Sequence, residues 1–227
     1  MKINSLLAVG ALLAVSTLSS HAAIVITEVM SSSAHTGTGN TSNNDWFELT
    51  NTGGSAVNIT GWSWDDNSFT PGSATFGGIT SIAAGQSIIF TEETLGAEAA
   101  WISDWGLSGV TVVNLGGTVF QGLGAPGDSV RIYDNLNATV ASVTFGASTA
   151  GFSFAWDTNG NSLGLSAISQ NGAFQAAFDG KTSGEGPGID IGSPGFAAIP
   201  EPSTYAALAG FAMLGIALNR RRRTNRA

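Results

Sequence analysis

The chain contains no cysteine. Its stability cannot come from disulfides, and thiol nucleophiles and thiolate metal centres are excluded. Histidine is scarce too, with His21 near the N-terminus and His35 in a polar stretch. Ser-His-Asp catalysis would have to rest on His35 alone. Positive charge is the third scarcity. Six of the eight Lys and Arg residues lie near the ends: Lys2, Arg220, Arg221, Arg222, Arg223 and Arg226. Residues 24–199 keep only Arg131 and Lys181 against fifteen Asp and Glu, a net charge of about −13. Such a surface repels phosphate, which argues against a nucleic-acid partner. Adjacent acids occur at Asp65-Asp66 and Glu92-Glu93, but neighbours on a strand point to opposite faces. Neither pair converges as a two-carboxylate glycosidase requires, and the composition points to a protein that is not an enzyme.

What is present begins at the ends. Lys2 is a short positive region, Leu6–Leu18 is apolar apart from Ser and Thr, and Ser20-His21-Ala22-Ala23 supplies small residues for cleavage. This pattern predicts a signal peptide over 1–23, with a mature chain starting near Ala23 or Ile24. At the other end, Pro200-Glu201-Pro202 precedes a stretch from Thr204 to Leu218 without charge, then Arg220-Arg221-Arg222-Arg223. Those fifteen apolar-stretch residues would make a helix of about 22 Å against a hydrocarbon core of about 30 Å, short for a lasting anchor. The arginines would stay cytoplasmic, placing the body on the outer side of the inner membrane. Pro200 and Pro202 keep the approach to the helix extended and open to an enzyme.

These three parts in this order resemble the PEP-CTERM family of sorting tails. The resemblance implies recognition by an exosortase, transient residence in the inner membrane, removal of the tail, and delivery to the cell surface or exopolysaccharide matrix. An ordinary C-terminal anchor is the competing reading, and the short span weighs against it.

Between the ends, period-two alternation or β-branched and aromatic enrichment marks eight strands: 24–30, 45–51, 56–62, 87–91, 110–114, 128–134, 139–145 and 152–156. Gly, Asn, Ser or Asp bound each one, as turns require. The one helical piece is expected within 92–105. Eight short strands without long helices predict an all-β antiparallel sandwich or barrel. Residues 31–44 read as a polar loop, and 179–194, rich in Gly and acid, as a segment leading out of the fold as a tether.

Within this frame, Ile26-Thr27-Glu28-Val29, then Trp46-Phe47-Glu48-Leu49-Thr50-Asn51, then Ile59-Thr60-Gly61-Trp62 form an ordered set. Gly85-Gln86 before Ser87-Ile88-Ile89-Phe90, Asp128–Asp134, Val143-Thr144-Phe145-Gly146 and Gly192-Ser193-Pro194-Gly195 follow in sequence. The set resembles the lamin tail domain, which implies an immunoglobulin-like sandwich over 24–196, between the signal peptide and a tail over 197–227. Alternation in Trp46-Phe47-Glu48-Leu49 sends Phe47 and Leu49 to one face and Trp46, Glu48 and Thr50 to the other, as in a half-buried strand.

Two further sites emerge from the residues. Trp62 and Trp64 share a strand face and form either a sugar-stacking platform or a core layer. Asp157, Asn159 and Asn161 open like a calcium loop, but Ser162 stands where an EF-hand needs Gly and Ile168 where it needs Glu, so a plain turn competes with a Ca²⁺ site. The sequence therefore predicts an exported, non-catalytic surface or matrix protein, with a carbohydrate-binding module of the exopolysaccharide matrix as the alternative.

Overall fold

The computed structural model describes residues 24–34, 45–93, 95–120, 122–177 and 190–197. The expected signal peptide, His35 and the tail from residue 198 lie outside them. In chain order the strands are β1 (Ile24–Met30), β2 (Trp46–Asn51), β3 (Val57–Asn58), β4 (Ser63–Asp65), β5 (Ala74–Thr75), β6 (Ser81–Ile82) and β7 (Ser87–Thr91). A helix α1 (Glu98–Asp104) follows, then β8 (Thr111–Asn114), β9 (Asp128–Tyr133), β10 (Thr139–Phe145), β11 (Phe154–Trp156), β12 (Ser162–Leu165), β13 (Phe174–Gln175) and β14 (Ile191–Gly192).

Two sheets carry the architecture, in the orders β12-β11-β1-β2-β7-β8 and β10-β9-β4-β5. The fold is the mostly antiparallel, immunoglobulin-like sandwich that the sequence predicts, with one parallel pair, β7 with β8. That pair is parallel because α1 lies in the connection and turns the chain back, which a tight hairpin cannot do. Strands β1, β7 and β10 have the expected bounds. The predicted strand at 56–62 shrinks to Val57–Asn58, since Gly61 takes a φ of 76° and breaks the ladder.

Between the sheets, alternation delivers Phe47 and Leu49 of β2 and Ile88 and Phe90 of β7 to one core, joined by Ile26 and Val29 of β1 on either side of a break in its register, against Trp64, Val130 and Ile132. Phe47 stacks on Phe90 at 5.4 Å and meets Trp64 at 5.0 Å. The outer face of the larger sheet is covered as well. Met30, Trp46 and Ile89 pack there against Trp101 and Trp105, which α1 and its C-cap supply. Trp46 meets both indoles edge-on, at 5.9 and 5.7 Å. Strand β2 is thus buried at all six positions rather than half-buried. The helix is short and lacks a side-chain N-cap; this packing holds it in place of intrinsic propensity.

A second difference concerns the predicted tether. Residues 190–194 return to the sheet: Asp190 is buried, β14 pairs with β13, and Ser193 is buried. Their partners lie on β1 and β2, far away in sequence, and local composition cannot announce them.

Phe47 sits at the junction of four aromatic rings with no exposure. Phe47→Ala should lower unfolding free energy by about 3–5 kcal/mol in urea titration; a loss under about 1 kcal/mol would contradict this packing.

Candidate functional site

The most unusual chemistry in the domain is a carboxylate pair on the outer face of the larger sheet. Strand β1 pairs with β2 in regular register until a β-bulge between Ile26 and Glu28. The bulge inverts the alternation, so that Thr27 and Glu28 both leave the inter-sheet core while Val29 returns to it. Glu28 then stands directly opposite Glu48. Both are 1 % exposed, and Arg131, the one Lys or Arg among the described residues, stacks on Phe69 instead, its guanidinium 3.8 Å from the ring centre.

Hydroxyls and backbone N–H groups take the place of a cation. Ser153 Oγ and the Ser193 N–H donate to Glu28 Oε1 at 2.5 and 2.7 Å, and Ser193 Oγ donates to Oε2 at 3.0 Å. Thr27 Oγ1 donates to Glu48 Oε1 at 2.5 Å, and the Gly195 N–H donates to Oε2 at 2.5 Å. Ser166 and Thr50 extend the network through Ser153 and Thr27. Burial first, and then the facing Glu48, push Glu28 up to about 8 against these donors. Burial also raises Glu48, opposed by its bonds from Thr27, Gly195, Thr50 and Ser87. Asp45, at the start of β2, is pushed up to about 7 by burial, offset in part by the Leu123 N–H.

The pair grips the segment 190–195, here called the strap. Asp190 fastens its start, accepting from the Ala34 N–H at 2.7 Å and from Ser33 Oγ. Gly192 is required by close approach: a Cβ there would lie 2.6 Å from Glu28 Oε1 and 3.3 Å from the Trp105 ring. Gly195 has φ 83°, and its Cβ would meet Val110 at 2.6 Å. Every oxygen of Glu28 and Glu48 is therefore occupied by the protein itself. The arrangement fastens chain to chain and offers no open position to a substrate.

The residues singled out in the sequence fall elsewhere. Trp62 and Trp64 are 8 % and 1 % exposed inside the inter-sheet core, so neither presents a face to a sugar; the platform expectation is corrected to a core layer. The remaining four tryptophans are buried as well. Asp157, Asn159 and Asn161 do come together, as the turn between β11 and β12. Asp157 Oδ1 accepts the N–H groups of Asn159 and Asn161 at 2.9 and 2.8 Å, and Oδ2 accepts Asn161 Nδ2 at 2.9 Å. These bonds aim the carboxylate into its own loop. Asp65 is likewise engaged, receiving Ser68 Oγ, Ser73 Oγ and the Thr70 N–H, and it organises the long loop after β4. The run Gly160-Asn161-Ser162-Leu163-Gly164 has G-x-S-x-G spacing. Ser162 opens β12 out of a hairpin turn instead of a strand-to-helix elbow, and its Oγ accepts the Gly164 N–H at 3.3 Å. Pro200, Glu201, Pro202 and Arg220 to Arg223 lie outside the described residues. Among the described residues no helix is long and apolar enough to cross a membrane.

Glu28 and Glu48 stand inside the motifs that the sequence offered, but nothing local marks them as buried. The available signal is two glutamates within apolar strands of a body almost without basic residues.

A carboxyl whose folded pKa is raised contributes stability that is complete below its unfolded value and lost as pH climbs through the folded one. For Glu28 that window runs from about 4.5 to about 8. The melting temperature should therefore fall between pH 5 and pH 9, and Glu28→Gln, which fixes the uncharged form, should flatten part of that fall in thermal melts, the remainder coming from Asp45 and Glu48. An unchanged slope in the variant would refute the assignment.

Comparison with known families places the chain. The PEP-CTERM protein-sorting motif matches residues 198–223, and the Lamin Tail Domain matches residues 17–147. A search of curated proteins found no relative. The family match ends before β11, although β11 pairs with β1 inside the larger sheet, so the folded unit continues beyond it. The motif indicates an exported protein sorted through an exosortase, and the sandwich with its ordered motifs is that of its family: the chain belongs to the lamin tail domain family.

Proposed function

We propose that the protein is a non-catalytic component of the cell surface or extracellular matrix, exported by its signal peptide, sorted by an exosortase-type enzyme through Pro200-Glu201-Pro202 and Arg220 to Arg223, and held only transiently in the inner membrane. The observation that carries this reading is the sorting motif at 198–223, which begins immediately after the strap of an immunoglobulin-like domain. Support comes from the site chemistry: the buried carboxylates are bonded to Thr27, Ser153 and the strap, and catalysis needs groups free to meet a substrate. The net charge of about −13 in residues 24–199 suits a soluble, hydrated matrix component and opposes binding to nucleic acid.

The carbohydrate-binding alternative rested on Trp62 and Trp64, and burial of both removes that footing. Titration of the folded protein with exopolysaccharide should leave tryptophan emission unquenched and unshifted; saturable quenching would revive the alternative.

The decisive experiment compares the mature protein in cells with and without the sorting peptidase, by intact mass and by fractionation. With the peptidase, the protein should lack the Arg-rich tail and appear at the surface or in the matrix. Without it, the tail should persist in the membrane fraction. Retention of the tail in peptidase-positive cells would overturn the proposal.

A further inference from the structure

The strap ends where the sorting tail begins, and the length of chain between them is set by the sequence. Among the described residues, Gly195 is the last whose backbone is bonded to the sheet, through Glu48. Phe196 closes a turn onto the Ser193 carbonyl and is 55 % exposed. The chain emerges beside a groove of about 360 Å³ lined by Thr52, Gly85, Thr158 and Phe196. Pro200 follows Gly195 by five residues, which span at most about 18 Å when fully extended.

We propose that Glu28 and Glu48 are positioning residues for processing of the tail: by holding Ser193 and Gly195 on the sheet, they fix how far the Pro-Glu-Pro site can reach from the domain. Three observations support this beyond the bonds themselves. The two carboxylates grip alternate residues of one short segment, Ser193 and Gly195, and this arrangement fixes direction as well as position. Gly192 and Gly195 lie so close to Glu28, Trp105 and Val110 that any side chain would push the strap off. Asp190 and Ile191 stay fastened on their own, so release of Ser193 to Gly195 would add three residues, about 10 Å, to the tether. The consequence is steric. With the strap in place, a membrane-embedded enzyme must take the site within about 18 Å of a folded domain, and the spacer 196–199 has little length to spare.

This inference rests on the sorting reading and is tested by a suppression experiment on the full-length chain, in cells that make the exosortase. Deleting residues 196 and 197, which precede the matched motif, removes about 7 Å of reach, and in the otherwise intact protein it should slow tail removal by about tenfold or more. The same deletion is then combined with strap release, in two independent ways. Gly192→Val with Gly195→Val expels the strap and leaves both carboxylates; Glu28→Ala with Glu48→Ala removes the grip. Hydrogen exchange of the Ser193 and Gly195 amides verifies release, and thermal melting verifies that the sandwich remains folded.

In a released, folded background the deletion should be processed within about twofold of the undeleted chain. A purely structural role for Glu28 and Glu48 gives no such rescue, because destabilisation cannot restore reach. Equal processing of deleted and undeleted chains in the intact domain, or slow processing of the deletion in both backgrounds, would overturn the positioning role while leaving the sorting reading in place. An undeleted chain left uncut would overturn the sorting reading and this inference together.

Discussion

Burying Glu28 opposite Glu48, with no Lys or Arg beside them among the described residues, is the constraint from which the outer face of the larger sheet follows. An ionised carboxylate in such a place is far costlier than any single packing contact is worth, so burial pushes both carboxyls toward the uncharged form while donors surround them. The bulge in β1 puts Thr27 and Glu28 on the same side, which gives the pair its first hydroxyl. Ser153 and Ser193 provide the next ones, and the strap adds two N–H groups. Glu28 Oε2 and Glu48 Oε2 depend on the strap's Ser193 hydroxyl and Gly195 N–H, and losing either strips a buried oxygen of its bond in a place water does not reach.

The same face shows how polar and apolar burial cooperate. Met30, Trp46 and Ile89 occupy it alongside the carboxylates, under Trp101 and Trp105. The α1 helix covers the apolar part and the strap covers the polar part, with Trp105 touching both, since its ring lies against Gly192. An immunoglobulin-like sandwich needs only one buried face per sheet. Here the larger sheet has two, which offsets the absence of disulfides in a cysteine-free chain.

How much of this the sequence discloses depends on the range of the interaction. Strands β1, β7 and β10 were legible because β-branched and aromatic enrichment, with alternation over parts of their length, is a local signal. The faces of Phe47 and Leu49 were legible for the same reason. What covers the opposite face was not, because Glu48 and Thr50 in alternate positions look the same under a helix and strap as they do under water. The strap was misread for a related cause: glycine and acid content suggests a linker, whereas Gly192 is there for close approach and Asp190 for bonds to Ser33 and Ala34. Trp62 and Trp64 carried no sign of depth, since a platform and a core layer share one pattern. The tail, by contrast, is a linear signal, and the sequence carries it whole.

The long reach of the strap has a bearing on the order of events in export. Glu28 is bonded to Ser193 across 165 positions, and Glu48 to Gly195 across 147. A chain that crosses the membrane from its N-terminus presents β1 and β2 early and their final partners almost last. Until residue 195 has crossed, the two glutamates face water on an unfinished sheet, and contacts of such separation close slowly. A fold that grows from the N-terminus therefore keeps this face open until residue 195 is available, and the polar half of the larger sheet is the last part to close.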